Sequence, residues 1–280
     1  MKFILAGIGI LAITNVFIWR SVFTSEGEEL RVSFLDIGQG DSIFVEGPTG
    51  LQMLVDGGPG RGVLRGLAHV MSPLDRTIDL LVATHPDKDH IAGLTDGFDR
   101  YDVSYFMESS VEGDTSFAAA LGAAASSEPN LVHVIAHRGQ RITLGGGAYA
   151  DILFPDRDVS GVETNTGSIV MRVVYGDTSF LLTGDSPIAI EGWLIVLDSK
   201  SLDTDILKAG HHGSRTSTSL EFLSAVSPST VVISAGKDNS YGHPHAEVMQ
   251  NIAATHAAAM STAEEGTITF VTNGREIKRK

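Results

Sequence analysis

The sequence predicts a mixed α/β fold in which sheets pack together and helices cover the outside. Three observations carry this. From Leu30 onward, short apolar runs of strand length alternate with stretches of helical pattern. The early strands come as hairpins with glycine turns, such as Glu46-Gly47-Pro48-Thr49-Gly50, whereas later strands alternate with helices. Two halves that each supply strands and helices are satisfied by packed sheets with helices outside.

Strands are expected at Arg31–Leu35, Ser42–Val45, Gln52–Val55, Ile78–Ala83 and Val103–Phe106, where β-branched and aromatic residues gather between turn formers. They continue at Leu131–Ile135, Tyr149–Phe154, Ile169–Tyr175, Ser179–Leu182, Asp205–Leu207, Thr230–Ser234 and Thr267–Val271. Helices are expected at Gly62–Met71, Phe117–Ser126, Ile188–Ser199, Ser219–Ala225 and Ala246–Thr255. Gly145-Gly146-Gly147 reads as a tight turn between two strands, and no linker divides the domain, which runs over residues 30–280. Lys278-Arg279-Lys280 reads as a solvated tail.

With 42% hydrophobic and 19% charged residues the chain is neither disordered nor a coiled coil. It has no cysteine, which excludes disulfide frameworks, thiolate nucleophiles and cysteine-based zinc sites. Any metal must be held by His, Asp or Glu. The net charge of -14 argues against a broad electrostatic footprint for nucleic acid, although acidic metal ligands count as negative until a cation neutralises them.

Residues 1–29 form a separate unit. Phe3 to Trp19 is apolar apart from Thr14 and Asn15, is bounded by Lys2 and Arg20, and is about the minimum length for a membrane-spanning helix. An uncleaved signal-anchor is favoured over a cleaved signal peptide, with a short linker to the domain. Lys2 favours a cytoplasmic amino terminus, which places the domain outside the membrane, anchored or secreted.

Four apolar strands run into chemistry-bearing residues. Leu80–Ala83 leads through Thr84 to His85-Pro86-Asp87-Lys88-Asp89-His90, four candidate ligands that are expected on a loop beyond the strand end. His with Asp suits Zn²⁺ or Mn²⁺. Ser179–Leu182 ends at Gly184-Asp185, a carboxylate placed to bridge two cations. Ile206–Lys208 leads to Gly210-His211-His212-Gly213-Ser214, and Val232–Gly236 is followed by Tyr241-Gly242-His243-Pro244-His245. Each segment alone is an ordinary turn; their convergence at strand ends indicates a site. His69, His133, His137 and His256 read as core or surface residues, and His245 as a ligand or a helix cap.

His85-x-Asp87-x-Asp89-His90 resembles the first ligand motif of the metallo-β-lactamase superfamily, usually His-x-His-x-Asp-His. Asp in place of the second His resembles the ComEC-like branch, the hydrolase domain associated with DNA-uptake channels. Asp36-Ile37-Gly38-Gln39-Gly40-Asp41, Leu54–Gly58, Asn165-x-x-Ser168, Leu182–Asp185, His211–Ser214 and Tyr241–Pro244 match that branch in order. A full ComEC also carries a polytopic channel, so a transport role is not carried over. The resemblance implies a four-layer αββα sandwich with two divalent metal ions at the edge between the sheets. His85, Asp87 and Asp185 would hold one; Asp89, His90, Asp185 and His212 the other, with the choice between His211 and His212 open. Asn165 stands where many members have another histidine. Asp36, Asp41 and Asp56 resemble groups that orient ligands and support loops.

These residues predict a metal-dependent hydrolase. Two cations about 3.5–4 Å apart activate water and stabilise the displaced oxygen. Asp89 accepts the water's proton or holds the second metal, and His211 and His243 contact a phosphate oxygen or protonate the leaving oxygen. Asn165, Ser168, Lys208 and Ser214 are assigned to substrate binding; Lys88, Lys208, Arg215 and Lys237 flank the motif loops and supply local positive potential. The expected substrate is a phosphodiester, DNA outside the membrane, and the possible partner a DNA-uptake channel. The rivals are a small ester, lactone or other phosphodiester, and a non-catalytic membrane-tethered binding module.

Overall fold

A computed structural model describes residues 29–280; the Phe3–Trp19 segment lies outside the described residues. The first sheet has eight strands. Leu30–Phe34 (β1), Ile43–Glu46 (β2) and Gln52–Val55 (β3) form a meander, beside which Thr77–Ala83 (β4), Asp102–Glu108 (β5) and Val132–Ile135 (β6) run parallel. Ile268–Thr272 (β14) pairs antiparallel with β1, and Ile277–Arg279 (β15) closes that edge. The basic tail expected to be solvated is therefore an edge strand, whose exposed charges suit an unpaired edge.

The second sheet has the order β13-β12-β11-β10-β9-β8-β7. Arg141–Gly145 (β7), Ala148–Phe154 (β8), Val170–Tyr175 (β9) and Thr178–Leu182 (β10) are antiparallel, and Ile206–Lys208 (β11), Thr230–Ile233 (β12) and Ala258–Ser261 (β13) are parallel. The glycine turn at 145–147 joins β7 to β8, as its sequence predicted.

The central strands of each sheet are buried on both faces, so they read as nearly continuous apolar runs. In β3, Met53 and Val55 point between the sheets while Leu54 points outward; in β4, Leu80 and Val82 point inward and Leu81 outward. Phe34, Phe180 and Phe270 meet in the inter-sheet layer. The outer face of the first sheet packs on Gly62–Val70 (α1), Lys88–Arg100 (α2) and Ser116–Ser127 (α3) through Leu67, Leu94, Phe98 and Leu121. The second sheet packs on Ile188–Asp198 (α4), Leu220–Val226 (α5) and Ala246–Ala254 (α6) through Leu194, Phe222 and Val248. The result is the αββα sandwich; a short helix, Thr262–Glu265 (α7), follows β13.

The main departure from expectation is α2. The ligand motif does not lie wholly on a loop: Asp87 is the N-cap residue, and Asp89 and His90 belong to the first turn. Ile91, Leu94 and Phe98 give this helix its buried stripe, but Gly93 and Gly97 obscure it because glycine is a poor helix former. Gly93 is required by close packing, since a Cβ there would lie 2.0 Å from the Gly57 carbonyl oxygen.

Candidate metal centre

The site forms where β4, β10, β11 and β12 end. Asp185 is its centre. Its Oδ2 lies 3.3 Å from His90 Nε2, 3.4 Å from His212 Nε2, 3.7 Å from His211 Nε2 and 4.0 Å from His85 Nε2. The Nε2 atoms of His90 and His212 are 3.3 Å apart. Asp89 Oδ2 stands 3.3 Å from His212 Nε2, and Asp87 Oδ2 is 3.7 Å from His85 Nε2. His85, His90, Asp185 and His212 are buried, while Asp87 and Asp89 open to solvent.

The surrounding hydrogen bonds set which ring nitrogen faces inward. His90 Nδ1 donates to Asp56 Oδ2 at 2.7 Å. His85 Nδ1 donates to Thr84 Oγ1 at 3.0 Å, and that hydroxyl donates to Asp56 Oδ2 at 2.7 Å. His212 Nδ1 donates to the Ser234 carbonyl at 3.0 Å. With every Nδ1 carrying a proton, each neutral ring turns an Nε2 lone pair toward Asp185. His85 Nε2 is buried with no hydrogen-bond partner among the described residues. Once those Nε2 atoms carry no proton, converging lone pairs and carboxylate oxygens fit a divalent cation held by His and Asp.

The same crowding governs the metal-free protonation states. Burial opposes charge on His90 and His212, but Asp185 and the carboxylates behind them outweigh it; His90 is raised well above the ordinary value and His212 to about 9. Burial and the neighbouring His90 push His85 down to about 3. Burial would raise Asp185, but His212, His90 and Lys208 hold it well below the usual carboxylate range. Protons and metal ions thus compete for one set of atoms.

Asp41 lies within 4.8 Å of the His90, Asp185 and His212 ligand atoms, yet it contacts the other edge of the rings. Its Oδ1 is 3.3 Å from His212 Nδ1 and its Oδ2 is ion-paired with Lys208 Nζ. Asp41 therefore buttresses His212, as Asp56 buttresses His90. Asp36 does not reach a ligand: it is exposed, and its carboxylate accepts from Gly38 N at 3.3 Å in the turn that leads to Asp41.

Of the residues assigned to substrate contact, three lie beneath the cleft. Lys208 is fully buried; it donates to the Gly184 carbonyl at 2.9 Å and approaches Asp185 Oδ1 at 3.5 Å, so it serves the carboxylates and not a ligand from solvent. Ser168 Oγ accepts from Asp185 N at 3.2 Å. Ser214 Oγ accepts from Thr216 Oγ1 at 3.0 Å, beside which His211 Nδ1 sits at 3.2 Å. Asn165 is half-buried in a 3₁₀ turn, with a buried Oδ1 that has no hydrogen-bond partner among the described residues. Lys88 lies over the Phe117 ring, 4.9 Å from its centre. His245 is the N-cap residue of α6 but makes no side-chain capping bond.

His211 and His212 are turned apart by backbone geometry. Both adopt the left-handed conformation, with φ of 48° and 55°, a costly arrangement for non-glycine residues. It sends His212 into the buried cluster and leaves His211 on the rim, the rings 77° apart in plane. His243 faces His211 with ring centres 5.7 Å apart, and burial together with the neighbouring histidines pushes it down to about 4. It is thus a neutral ring, suited to contacting an oxygen and poorly suited to protonating one at neutral pH.

Gln39, Tyr241, His211 and His243 join Asp87, Asp89, Asp185 and His212 around a cleft of about 120 Å³. A larger cavity of about 590 Å³ adjoins His85 and Pro86, rimmed by Glu112 and Asp114. Thr84, Gln39 and Tyr241 had no assigned role from sequence. Thr84 follows directly from its place between a strand and the first ligand; Gln39 and Tyr241 carry only their closeness to motif glycines as a signal.

The sequence profile of the Metallo-beta-lactamase superfamily matches residues 35–237. ComE operon protein 3 of Bacillus subtilis (strain 168) is 30% identical over 269 residues, covering 88% of this chain and 33% of that protein. Competence protein ComA of Neisseria gonorrhoeae is 28% identical over 243 residues, covering 86% of this chain and 32% of that protein. The chain spans about a third of the length of these curated relatives. Among solved structures, CmlA, a diiron beta-hydroxylase from Streptomyces venezuelae, superposes with a TM-score of 0.54 at 15% identity, over 90% of this chain and 54% of that one. Tm1679, a metal-dependent hydrolase of the beta-lactamase superfamily, gives 0.52 at 13% identity, over 83% of this chain and 95% of that one. At these identities the two structures are similar in fold alone.

Proposed function

The chain belongs to the metallo-beta-lactamase superfamily, and from that premise we propose that it is a metal-dependent phosphodiesterase that cleaves DNA. The observation that carries the reading is the convergence of three imidazole Nε2 atoms on Asp185, with the Asp87 carboxylate beside His85 and the Asp89 carboxylate beside His212. His85, Asp87 and Asp185 would hold one cation and Asp89, His90, His212 and Asp185 the other, Zn²⁺ or Mn²⁺. Charge supports two: Asp41, Asp56, Asp87, Asp89 and Asp185 against Lys208 leave four negative charges, which two divalent cations neutralise.

Bound divalent cations supply Lewis acidity and a nucleophile at neutral pH. The chain supplies the rest. Asp56, Asp41, Thr84 and the Ser234 carbonyl orient the ligand rings. Burial would raise the Asp89 carboxyl, but the hydrogen bond from His212 and the nearby His90 hold it well below the usual carboxylate range and so ionised. His211 and His243 present neutral rings to the oxygens of a phosphoryl group. The competence-protein relatives support DNA as the substrate, within a DNA-uptake system, and the Phe3–Trp19 run supports a membrane-attached domain acting outside the cell membrane.

The test is a substrate panel with the metal-loaded full chain beside Asp89→Ala: single- and double-stranded DNA, bis(4-nitrophenyl) phosphate, a lactone and a simple ester. Metal-dependent cleavage of the phosphodiesters, lost in the variant, is expected. Turnover confined to the lactone or ester would refute the phosphodiesterase reading.

A further inference from the structure

Gln39 lines the metal cleft between two glycines of positive φ, Gly38 at 83° and Gly40 at 128°. Its backbone is clamped on both sides. A Cβ on Gly40 would lie 2.1 Å from the Asp89 carbonyl oxygen, and Asp41 N donates to that same oxygen at 3.2 Å. On the other side a Cβ on Gly236 would lie 2.9 Å from Gln39 N. The turn is therefore fixed relative to Asp89 and to the loop after β12.

The side chain is fixed as well. Gly236 N donates to Gln39 Oε1 at 3.1 Å. A backbone N–H requires an acceptor, which settles the amide orientation and turns Nε2 the other way. Among the described residues no acceptor bonds that Nε2, and it is not buried. Two oriented amide protons thus stand free beside a cleft that is also lined by Tyr241, 63% exposed, His211 and His243. Oriented N–H donors beside a small polar space suit an anionic oxygen cluster more than a neutral carbonyl.

We infer that Gln39 is a substrate-binding residue whose Nε2 donates to a non-bridging phosphoryl oxygen of a phosphodiester seated over the cations that Asp89 and Asp185 would hold. The inference rests on the phosphodiesterase reading of the same site. It makes the amide of the Gly38–Gly40 turn a determinant of the preference for phosphoryl over carboxylic ester substrates.

Gln39→Glu tests it with little change of shape. The carboxylate still accepts from Gly236 N, so a purely structural role survives. The donating NH₂ becomes an oxygen and a negative charge is added, so the role of the donor is confirmed only if the uncharged Gln39→Leu weakens phosphate binding too. In the metal-loaded full chain, KM for bis(4-nitrophenyl) phosphate and the inhibition constant of inorganic phosphate should each rise tenfold or more, about the loss of one hydrogen bond to a charged group. kcat should change less, and metal content should be unchanged. Gln39→Leu, which removes donor and acceptor together, should weaken phosphate binding as well. Values within twofold of the parent for Gln39→Glu overturn the inference, and so does a rise in KM that merely tracks lost metal. If the parent cleaves no phosphodiester, the phosphodiesterase reading fails by itself. Calorimetric binding of inorganic phosphate, tenfold weaker in Gln39→Glu or unchanged, then still decides the role of Gln39.

Discussion

Asp56→Asn is the most informative single change, because Asp56 fixes two ligand rings from behind without touching the cleft. Its Oδ1 accepts from Thr84 N at 2.8 Å, and its Oδ2 accepts from His90 Nδ1 at 2.7 Å and Thr84 Oγ1 at 2.7 Å. In the variant the amide oxygen must stay on Thr84 N, so the NH₂ faces His90 and the Thr84 hydroxyl. His90 Nδ1 then becomes an acceptor and its proton moves to Nε2, the atom 3.3 Å from Asp185. The Thr84 hydroxyl, now receiving from the amide, turns its own proton toward His85 Nδ1 and imposes the same switch there. Both rings lose the lone pair that a cation needs. Loss of such outer partners weakens metal binding about 10–100-fold, or about 1.4–2.7 kcal/mol, here for ligands assigned to each of the two cations. The fold should survive. Asp56 has φ of 60°, which Asn tolerates equally well, and burial already pushes the Asp56 carboxyl above its usual range. In chelator the melting temperature should shift by no more than about 2–4 °C. Competition against a chelating dye measures both affinities. Metal binding within twofold of the parent, with the fold intact, would refute the tautomer argument.

Three further outcomes follow from the same geometry. Lys208→Met strands the buried Asp41 carboxylate and should cost about 3–5 kcal/mol of stability, read from urea unfolding; a loss under 1 kcal/mol would mean that Lys208 does not carry the charge of Asp41. Gly93→Ala places a Cβ 2.0 Å from the Gly57 carbonyl oxygen and must push α2 off the loop beside Asp56; bound metal and melting temperature should fall together, and unchanged metal content would contradict the packing argument. Because His90 and His212 have raised pKa values in the metal-free protein, with that of His212 at about 9, metal uptake at neutral pH should release about two protons and affinity should rise with pH. By the same linkage the metal-free protein keeps their stabilisation below the ordinary value of 6.5 and loses it as pH rises through about 9. Calorimetry in buffers of different ionisation enthalpy counts the protons, and a count of zero would contradict the shared-site reading.

The parts of the site that sit on strand ends were legible in the sequence, because an apolar run that stops at His or Asp marks both the strand and the direction of its last residues. The layer order was legible through the family resemblance and through the two-faced burial of strands such as Leu80–Ala83. Helix α2 was hidden by Gly93, whose reason for being there is a contact with Gly57 that is distant in sequence. Lys208 was misplaced because sequence displays a charge and not its burial; only the pairing with Asp41, far away in the chain, explains an ammonium inside the sandwich. The choice between His211 and His212 depends on two left-handed backbone positions, which adjacent glycines hint at without saying which ring turns inward. β13 was missed because Ala258-Ala259-Met260 lacks the branched and aromatic residues of the other strands.

The most direct test is to strip the full chain with chelator, restore Zn²⁺ or Mn²⁺ stepwise, and follow bound metal and cleavage of end-labelled DNA in the same samples, beside Asp185→Asn. Cleavage should appear only as the cluster fills, reach its plateau at two cations per chain, and be absent from the variant together with its metal. Cleavage that persists in chelator, or that Asp185→Asn retains, would contradict the account.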